Sequence, residues 1–301
     1  NWNWICVIDP HGDLVKDLLP FIPRQRADDV IIFDPSDTAR PMWLNLLEAS
    51  SPEEMDLVAM DAMNIMIKLF WSEIFGPRIQ DYFRNWVLTL MSYPEWWALT
   101  DIVRLFTDED FQKERVRCVK NPIVKAWWEK TYASMWDREK QEMIPYFAAK
   151  FGQFITNTMM RNIIGQTKSS FDINEIMQNK KILMVNLSKG ILWDINSELL
   201  WLMLVSKIQM AAMRRQNIAK ENRKDFFMYI DEFQNYITPS IESILSEARK
   251  YRLWLVLAHQ YLWQLEKSDA LTKSNLNLKW AIFGNVWSIM SYKIGPEDWE
   301  F

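Results

Sequence analysis

The stretch DFFMYIDEFQNY (225–236) joins an uninterrupted apolar run to two adjacent carboxylates. Residues 226–230 are all apolar, which is typical of a strand buried on both faces of a parallel sheet. Asp231 and Glu232 follow directly, so they would lie at the carboxyl end of this strand. Open α/β sheets bind ligands at that edge, and the sequence therefore predicts a charged site there. The alternative is a strand that ends in a solvated acidic turn.

Two carboxylates at a strand end suit nucleotide hydrolysis. The first, Asp231, can hold Mg²⁺ through water, and the second, Glu232, can orient or deprotonate an attacking water. Gln260 ends another apolar run, LVLAHQ (255–260), where a polar side chain can sense a terminal phosphate. Arg249 lies on the segment between these runs, where a guanidinium can complete the site of a neighbouring subunit.

The beginning of the chain predicts a βαβ unit. ICVIDPHGDL (5–14) indicates a buried strand, a turn at Pro and Gly, and a helix capped by Asp13. VIIF (30–33) indicates a second strand, so the two strands should be parallel. Asp9 ends the first strand and is a candidate to face the nucleotide. Its alternative role is that of a turn-forming residue.

Sheet signals return in the second half of the chain. KILMVNLS (181–188) predicts a buried strand, which is followed by an amphipathic helix at about 195–216. A further helix is expected over 240–251, before the strand that ends at Gln260. The apolar segment 281–286 is interpreted as an edge strand. Strands that alternate with helices predict a doubly wound α/β sheet.

An all-helical block interrupts this α/β pattern. Between residues 51 and 164, apolar residues recur at spacings of three and four, without strand-like runs bounded by turns. We therefore expect an all-α insertion at 51–164 and a nucleotide-binding core formed by 1–50 and 165–301. The Met and aromatic stripes of the insertion are interpreted as helix core.

Composition excludes several classes of protein. The net charge of −4 gives no overall basic field for nucleic acid. Cys6 and Cys118 lack motif spacing, which argues against a disulfide framework and indicates a reducing compartment. His11 and His259 are too few and too isolated for a zinc site. No run of 18 apolar residues is present to span a membrane.

The balance of Trp and Gly is unusual. The chain has 17 Trp and only 7 Gly, whereas average usage would give about 21 Gly. Several Trp occupy positions that favour Gly, such as Trp4 in a turn and Trp254 between a predicted helix and strand. We hypothesise that many of these positions are glycine in the natural protein, encoded by UGA and translated here as tryptophan. The alternative is a chain that is rich in Trp.

Four stretches together resemble one family. YIDEFQNY (229–236), SEARKYRLWLVLAHQYLWQL (246–265), KILMVNLSKG (181–190) and ICVIDPHGDL (5–14) are similar to the RecA-like motor domain of conjugative type IV secretion coupling ATPases, the TraG/TraD-like branch of the FtsK–HerA class. The resemblance covers nearly the whole chain, including the place of the helical insertion. It implies a RecA-like, mostly parallel sheet flanked by helices, with an inserted all-α domain.

The resemblance also implies roles for residues. Asp231 would be the Mg²⁺-side carboxylate, Glu232 the base that activates water, and Gln260 the sensor. Arg249 would be the arginine finger, with Arg252 and Arg161 as rivals. A helix-terminal charge is the alternative role for Arg249.

The implied activity is a homo-hexameric motor that couples ATP hydrolysis with Mg²⁺ to DNA translocation. Single-stranded DNA would pass over pore loops, for which Lys189 is a candidate. A relaxase or secretion-channel proteins are the implied partners, and the resemblance also implies a TraM recognition domain. The expected location is the cytoplasm, with possible attachment to the inner membrane through an upstream segment.

The main departure from the family is the phosphate-binding loop. No G-x-x-x-x-G-K-[ST] occurs in the sequence, and GQTKSS (165–170) has the wrong spacing, so we interpret it as a loop. We expect the P-loop to lie upstream of Asn1 and this fragment to be inactive alone. The alternatives are a HerA-like DNA-processing ATPase, a secretion-channel assembly ATPase, and a non-catalytic module that docks a secretion substrate.

Overall fold

The computed structural model describes residues 4–49, 51–70, 75–94, 97–135, 137–192, 194–233, 247–260 and 278–292. The chain divides into two compact units. The sheet unit comprises Asn1–Asp34 and Asp172–Phe301, and the helical unit comprises Pro35–Phe171. The expected domain boundaries were 50/51 and 164/165, so the helical unit extends further in both directions than the helical periodicity alone suggested.

Hydrogen bonds between the two ends of the helical unit explain its extent. The Trp43 N–H donates to Ser170 Oγ at 2.7 Å, and the Ser170 N–H donates back to the Trp43 carbonyl at 2.9 Å. Asn45 continues this pairing, since its N–H donates to Ser169 Oγ at 3.1 Å. The segment 165–170 is irregular, as predicted, and its serines bind the chain at 43–45.

The sheet consists of five parallel strands in the order β2-β3-β1-β4-β5 among the described residues. Their bounds are β1 Ile5–Asp9, β2 Val30–Phe33, β3 Ile182–Asn186, β4 Phe226–Ile230 and β5 Leu253–Leu257. Every residue of β3 is buried, as expected for an apolar strand inside a parallel sheet. The order places β1 between β3 and β4, so the first strand lies at the centre of the sheet.

Helices connect the strands and form the second unit. In chain order they are α1 Asp13–Leu18, α2 Pro52–Phe70, α3 Pro77–Met91, α4 Asp101–Thr107, α5 Glu109–Arg117, α6 Pro122–Ala126, α7 Asp137–Thr156, α8 Thr158–Ile164, α9 Ile173–Gln178, α10 Lys189–Leu192, α11 Asp194–Arg214 and α12 Leu278–Asn285. Helices α2–α8 belong to the helical unit, where a π-helical turn, Trp127–Tyr132, follows α6. Buried phenylalanines from α3 and α7, such as Phe83 and Phe147, form its core.

Two local predictions are wrong. The segment 281–286 is not an edge strand, because residues 281–285 form the last part of α12. A short apolar run fits a buried strand and a helix equally well. Asp13 is not the cap of α1 but its first residue, and the cap position is Gly12. The predicted helix over 240–251 lies largely outside the described residues, which resume with a 3-10 turn, Ala248–Tyr251.

The structure bears differently on Trp254 and Trp4, two of the positions at which glycine is expected in the natural protein. The left-handed residue before β5 is Arg252, with φ of 61°, and Trp254 lies inside β5 itself. The conformational reason given for glycine at position 254 is therefore wrong. Trp4, in contrast, has a buried indole N–H without a hydrogen-bond acceptor, which costs about 1–3 kcal/mol.

Candidate functional site

The acidic pair lies at the carboxyl edge of the sheet. Asp231 directly follows β4, and its N–H donates to the Ile8 carbonyl of β1 at 3.1 Å. Because Ile8 pairs with Ile230, the next residues along these strands, Asp9 and Asp231, are neighbours at the same edge. The parallel arrangement therefore brings together carboxylates that are far apart in sequence.

The environment of Asp231 disfavours its charged form. The pKa of the Asp231 carboxyl is raised, first by partial burial and then by the negative charges of Glu232 and Asp9. The Glu232 N–H donates to Asp231 Oδ1 at 3.0 Å and partly offsets this effect, as does nearby His11. A divalent cation beside Asp231 would neutralise the accumulated negative charge.

Asp9 organises the loop that follows β1. It is 1% exposed. Its Oδ1 accepts from the His11 N–H at 2.8 Å, and its Oδ2 accepts from the Val15 N–H at 3.1 Å. Val15 is in the first turn of α1, so Asp9 satisfies a free helix N–H in place of the expected Asp13 cap. This geometry favours the turn-forming role, and contact between Asp9 and a nucleotide stays a prediction.

Glu232 has an uncommon backbone conformation. Its φ of 48° is in the left-handed region, which costs a residue with a Cβ roughly 1–2 kcal/mol. The conformation persists because Phe233, which is fully buried, donates its N–H to the Ala258 carbonyl at 2.9 Å. Strained residues that are held in this way cluster at functional sites.

Gln260 meets Glu232 at this edge. The strand β5 ends at Leu257, three residues before Gln260, and the Ala258 N–H still donates to the Ile230 carbonyl. The exposed Gln260 side chain donates from Nε2 to Glu232 Oε1 at 2.5 Å. The structure therefore brings Asp9, Asp231, Glu232 and Gln260 to one edge of the sheet.

Sequence reasoning missed Asn186 at the same edge. Asn186 is the last residue of β3, is 5% exposed, and donates from Nδ2 to Asp34 Oδ2 at 2.9 Å. A Cβ added to Gly12, which has φ of 86°, would lie 2.5 Å from Asn186 Oδ1. The sequence signal that could have identified Asn186 is a polar residue at the end of a buried apolar run. The same signal identified Asp231, but it was not applied to Asn186.

Arg249 lies at the opposite edge of the sheet. It belongs to the basic turn, defined here as residues 248–252, which leads into the amino end of β5. The Phe226 N–H at the start of β4 donates to the Arg252 carbonyl at 2.9 Å. The length of β4 therefore separates the basic turn from Asp231, roughly 16 Å at the usual strand rise. Arg249 is therefore too far from Asp231 and Glu232 of its own subunit to contact them.

The basic turn contributes to a pocket whose lining, among the described residues, is entirely cationic. Its volume is about 370 Å³, and its lining residues are Lys220, Arg223, Arg249, Lys250 and Arg252. Two of these cations have carboxylate partners, because Lys250 pairs with Glu247 and Arg252 pairs with Asp225, each at 3.2 Å. The Arg249 guanidinium lies 3.5 Å from the centre of the Trp287 ring.

The remaining sequence candidates are placed as follows. Lys189 begins α10, just after β3, and its side chain is outside the described positions. Arg161 lies in α8 of the helical unit. Among the described residues, no group of three or more His, Cys, Asp or Glu side chains is arranged to hold a metal ion. In the same part of the chain, no helix is long and apolar enough to cross a membrane.

Comparisons with known proteins give matches in structure only. No protein-family model matches the sequence, and no curated protein matches it. Among solved structures, the unbound bacterial conjugative coupling protein TrwB matches with a TM-score of 0.58 and 14% identity over 93% of this chain. The chain has the fold of TrwB. The predicted RecA-like class, a mostly parallel sheet with flanking helices, is therefore confirmed.

Nucleotide complexes of TrwB match equally well. The complex of TrwB with ADP and Mg²⁺ has a TM-score of 0.57 at 14% identity, and the complex with the ATP analogue ADPNP has 0.56 at 15%. Each alignment covers 93% of this chain and 62% of the TrwB chain. The chain thus spans about three fifths of the TrwB structures that it matches.

Proposed function

We propose that the chain is the core of a motor ATPase that couples ATP hydrolysis to DNA translocation in conjugation or type IV secretion. The observation that carries this proposal is the hydrogen bond between Gln260 and Glu232, beside Asp231 at the carboxyl edge of the sheet. The same fold in TrwB is described with ADP and Mg²⁺ and with the ATP analogue ADPNP. Together these findings favour a nucleotide at this edge.

In this proposal Asp231 holds Mg²⁺ through water. The raised pKa of Asp231 reflects burial and two neighbouring carboxylates, and a divalent cation relieves this repulsion. Mg²⁺ keeps several waters and the nucleotide phosphates as ligands, so it needs only one or two protein carboxylates. The absence of a larger acidic cluster among the described residues therefore suits this metal.

Glu232 and Gln260 would act on the water that attacks the terminal phosphate. The Glu232 carboxylate accepts the proton of that water, and the Gln260 amide orients the water or senses the phosphate. In the chain as described, the Gln260 amide bonds to Glu232 itself. We expect a nucleotide and its water to replace this bond.

The phosphate cradle has to come from outside these residues. The sequence contains no G-x-x-x-x-G-K-[ST], and β5 is an edge strand among the described residues. β5 is wholly apolar, yet Val256 is 44% exposed. Apolar edge strands are normally paired or covered. We propose that the strand carrying the phosphate-binding loop pairs with β5, which places the phosphates beside Gln260.

Arg249 would act on the nucleotide of a neighbouring subunit in a homo-hexamer. The cationic pocket and the acidic edge lie at opposite ends of the strands, which suits head-to-tail packing in a ring. Mixing two inactive full-length variants tests this role. Assemblies of Arg249→Ala with Glu232→Gln should regain turnover, because some interfaces combine an intact acidic edge with an intact arginine. No recovery at any mixing ratio contradicts action in trans.

DNA is the proposed substrate because TrwB is a plasmid coupling protein. Single-stranded DNA added to the full-length protein should increase its ATP turnover, and Lys189→Ala should reduce this increase. Lys168→Ala is a control, because this lysine lies in the 165–170 loop of the helical unit. Turnover that responds to a secretion protein but not to DNA would instead favour a secretion-channel assembly ATPase.

The decisive experiment for hydrolysis is ATP turnover by the full-length protein. Glu232→Gln should lose at least about a hundredfold in turnover and keep ATP binding. Glu221→Gln, a change of an exposed carboxylate in the loop before β4, should retain turnover. Equal turnover in Glu232→Gln and the wild type contradicts the proposal and leaves the substrate-docking function.

A further inference from the structure

Two arginines hold three successive carbonyl groups of the basic turn. Arg223 Nη1 donates to the Lys250 carbonyl at 2.6 Å. Arg215 Nη1 donates to the Tyr251 carbonyl at 2.9 Å and to the Arg252 carbonyl at 3.4 Å. These carbonyls follow Arg249 directly in the chain. Both arginines come from the segment between α11 and β4, so they tie that segment to the turn.

Arg215 is a buried cation that donates hydrogen bonds to backbone carbonyls. It is 2% exposed, and burial lowers its pKa to about 10. Its Nη2 donates to the Met177 carbonyl in the last turn of α9 at 2.9 Å. The guanidinium therefore lies between carbonyls of two helical turns, where a positive charge is favourable. Burial of a cation is costly unless hydrogen bonds replace its lost hydration, and these backbone carbonyls supply such bonds to Arg215.

Arg223, which lines the cationic pocket, binds the same turn and the segment before it. Its Nε donates to the Ile218 carbonyl at 2.8 Å, and its Nη2 donates to the Gln216 carbonyl at 3.3 Å. One guanidinium thus joins three backbone carbonyls, counting that of Lys250. A lysine cannot reproduce this pattern, because its ammonium lacks the planar fork of donors.

The basic turn requires such external contacts. Arg252 has φ of 61°, a left-handed conformation that costs a residue with a Cβ roughly 1–2 kcal/mol. The Arg252 N–H closes the turn by donating to the Arg249 carbonyl at 3.0 Å. A strained turn persists only where surrounding contacts fix it. The two arginines supply those contacts on the carbonyl side.

We infer that Arg215 and Arg223 are positioning residues that lock the basic turn and so fix the direction in which Arg249 projects. This inference rests on the proposed function of Arg249 in a neighbouring site. Catalysis by a guanidinium depends on its placement within a fraction of an ångström. We call Arg215 and Arg223 the clamp arginines, and their contacts with the basic turn the clamp. Loss of either clamp arginine should therefore lower kcat while leaving the affinity for ATP unchanged.

Hydrogen exchange and turnover of the full-length protein test this inference together. In Arg223→Met and Arg215→Lys, the amide hydrogens of residues 250–252 should exchange with solvent at least about tenfold faster than in the wild type. This increase corresponds to a loss of about 1.4 kcal/mol in the free energy that protects these amides. Amides of β4 should keep their protection, which shows that the sheet unit remains folded. The same variants should lose about tenfold in kcat with unchanged KM. Arg223→Lys should recover only part of the loss.

Lys224→Met is the matched control, because Lys224 is an exposed cation on the same loop. It should leave both exchange and kcat unchanged. Unchanged exchange of the turn in Arg223→Met and Arg215→Lys overturns the clamp. If Arg249→Ala lowers kcat, but Arg223→Met and Arg215→Lys show faster exchange together with wild-type kcat, then the positioning role is wrong. Wild-type turnover in Arg249→Ala contradicts the proposed function of Arg249, and the exchange data then still report on the clamp alone.

Discussion

Gln260 donates a hydrogen bond to Glu232 across 28 positions of sequence, and this bond joins the segments that follow β4 and β5. The two side chains meet because parallel strands end at one edge and because Glu232 adopts a left-handed conformation. Without that conformation the backbone after Asp231 would continue as a strand and the Glu232 side chain would point elsewhere. The strain at Glu232 is therefore part of the geometry of the site.

The strain at Glu232 can be measured by replacement. Glu232→Gly should be more stable than Glu232→Ala by about 1 kcal/mol, because glycine adopts positive φ without a Cβ penalty. Denaturation by urea measures the difference. Glu221 offers the control, since its φ is not in the left-handed region and Glu221→Ala should be at least as stable as Glu221→Gly. A more stable Ala variant at 232 would show that the conformation is not strained.

Asp231 should destabilise the fold at neutral pH. Its folded-state pKa is raised above the ordinary value of 3.8, so the protonated form is favoured and stability is lost as pH rises through the folded pKa. Asp231→Asn should therefore raise the melting temperature at about pH 7, and the gain should shrink toward about pH 4, where wild-type Asp231 takes up its proton. A gain that is equal at both pH values contradicts the assigned environment.

Gly12 should not tolerate a side chain. Gly12→Ala should cost roughly 2 kcal/mol or more of unfolding free energy, because φ is positive and the new Cβ would contact Asn186 at 2.5 Å. Gly190→Ala is the control, since a Cβ there meets nothing within 4 Å and α10 should gain from alanine. Equal stability of the two variants would contradict the close approach of Gly12 to Asn186.

The tryptophan hypothesis makes a prediction about the gene. The codons for Trp2, Trp4 and Trp43 should be UGA, and mass spectrometry of the natural protein should find glycine there. Trp4→Gly should then cost little or no stability, since it removes a buried indole N–H without an acceptor. UGG codons at these positions refute the hypothesis. The codon of Trp287 matters for the site, because its ring lies against the Arg249 guanidinium.

Much of the sheet follows from local sequence. Runs such as 226–230 and 182–185 are apolar throughout and bounded by polar, charged or turn residues, which predicts strands buried on both faces of a parallel sheet. This prediction is confirmed for β3, where every residue is buried, and wrong for one face of β4, where Tyr229 is exposed. Their carboxyl ends carry Asp231 and Asn186, which made the site edge predictable in principle. The segment 281–286 shows the limit, since a short and mostly apolar stretch does not distinguish a strand from α12.

Other features leave no mark in the sequence. The clamp arginines bind carbonyl groups, which every residue has, so no spacing or residue type reveals the partners of Arg215 and Arg223. The left-handed conformations of Glu232 and Arg252 are imposed by tertiary contacts, because neither residue type favours positive φ. The boundaries of the helical unit differ from the predicted ones for a similar reason. Hydrogen bonds join residues 43–45 to residues 169–170, and such bonds produce no periodic pattern in the sequence.

The most direct test of the central claim is a double-mutant cycle on ATP turnover at saturating ATP, with Glu232→Gln, Gln260→Ala and both changes together in the full-length protein. If both side chains act on one attacking water, the double variant should lose no more than about threefold beyond Glu232→Gln alone. Losses that multiply, or wild-type turnover in Glu232→Gln, would contradict a single hydrolytic site at the carboxyl edge of β4 and β5.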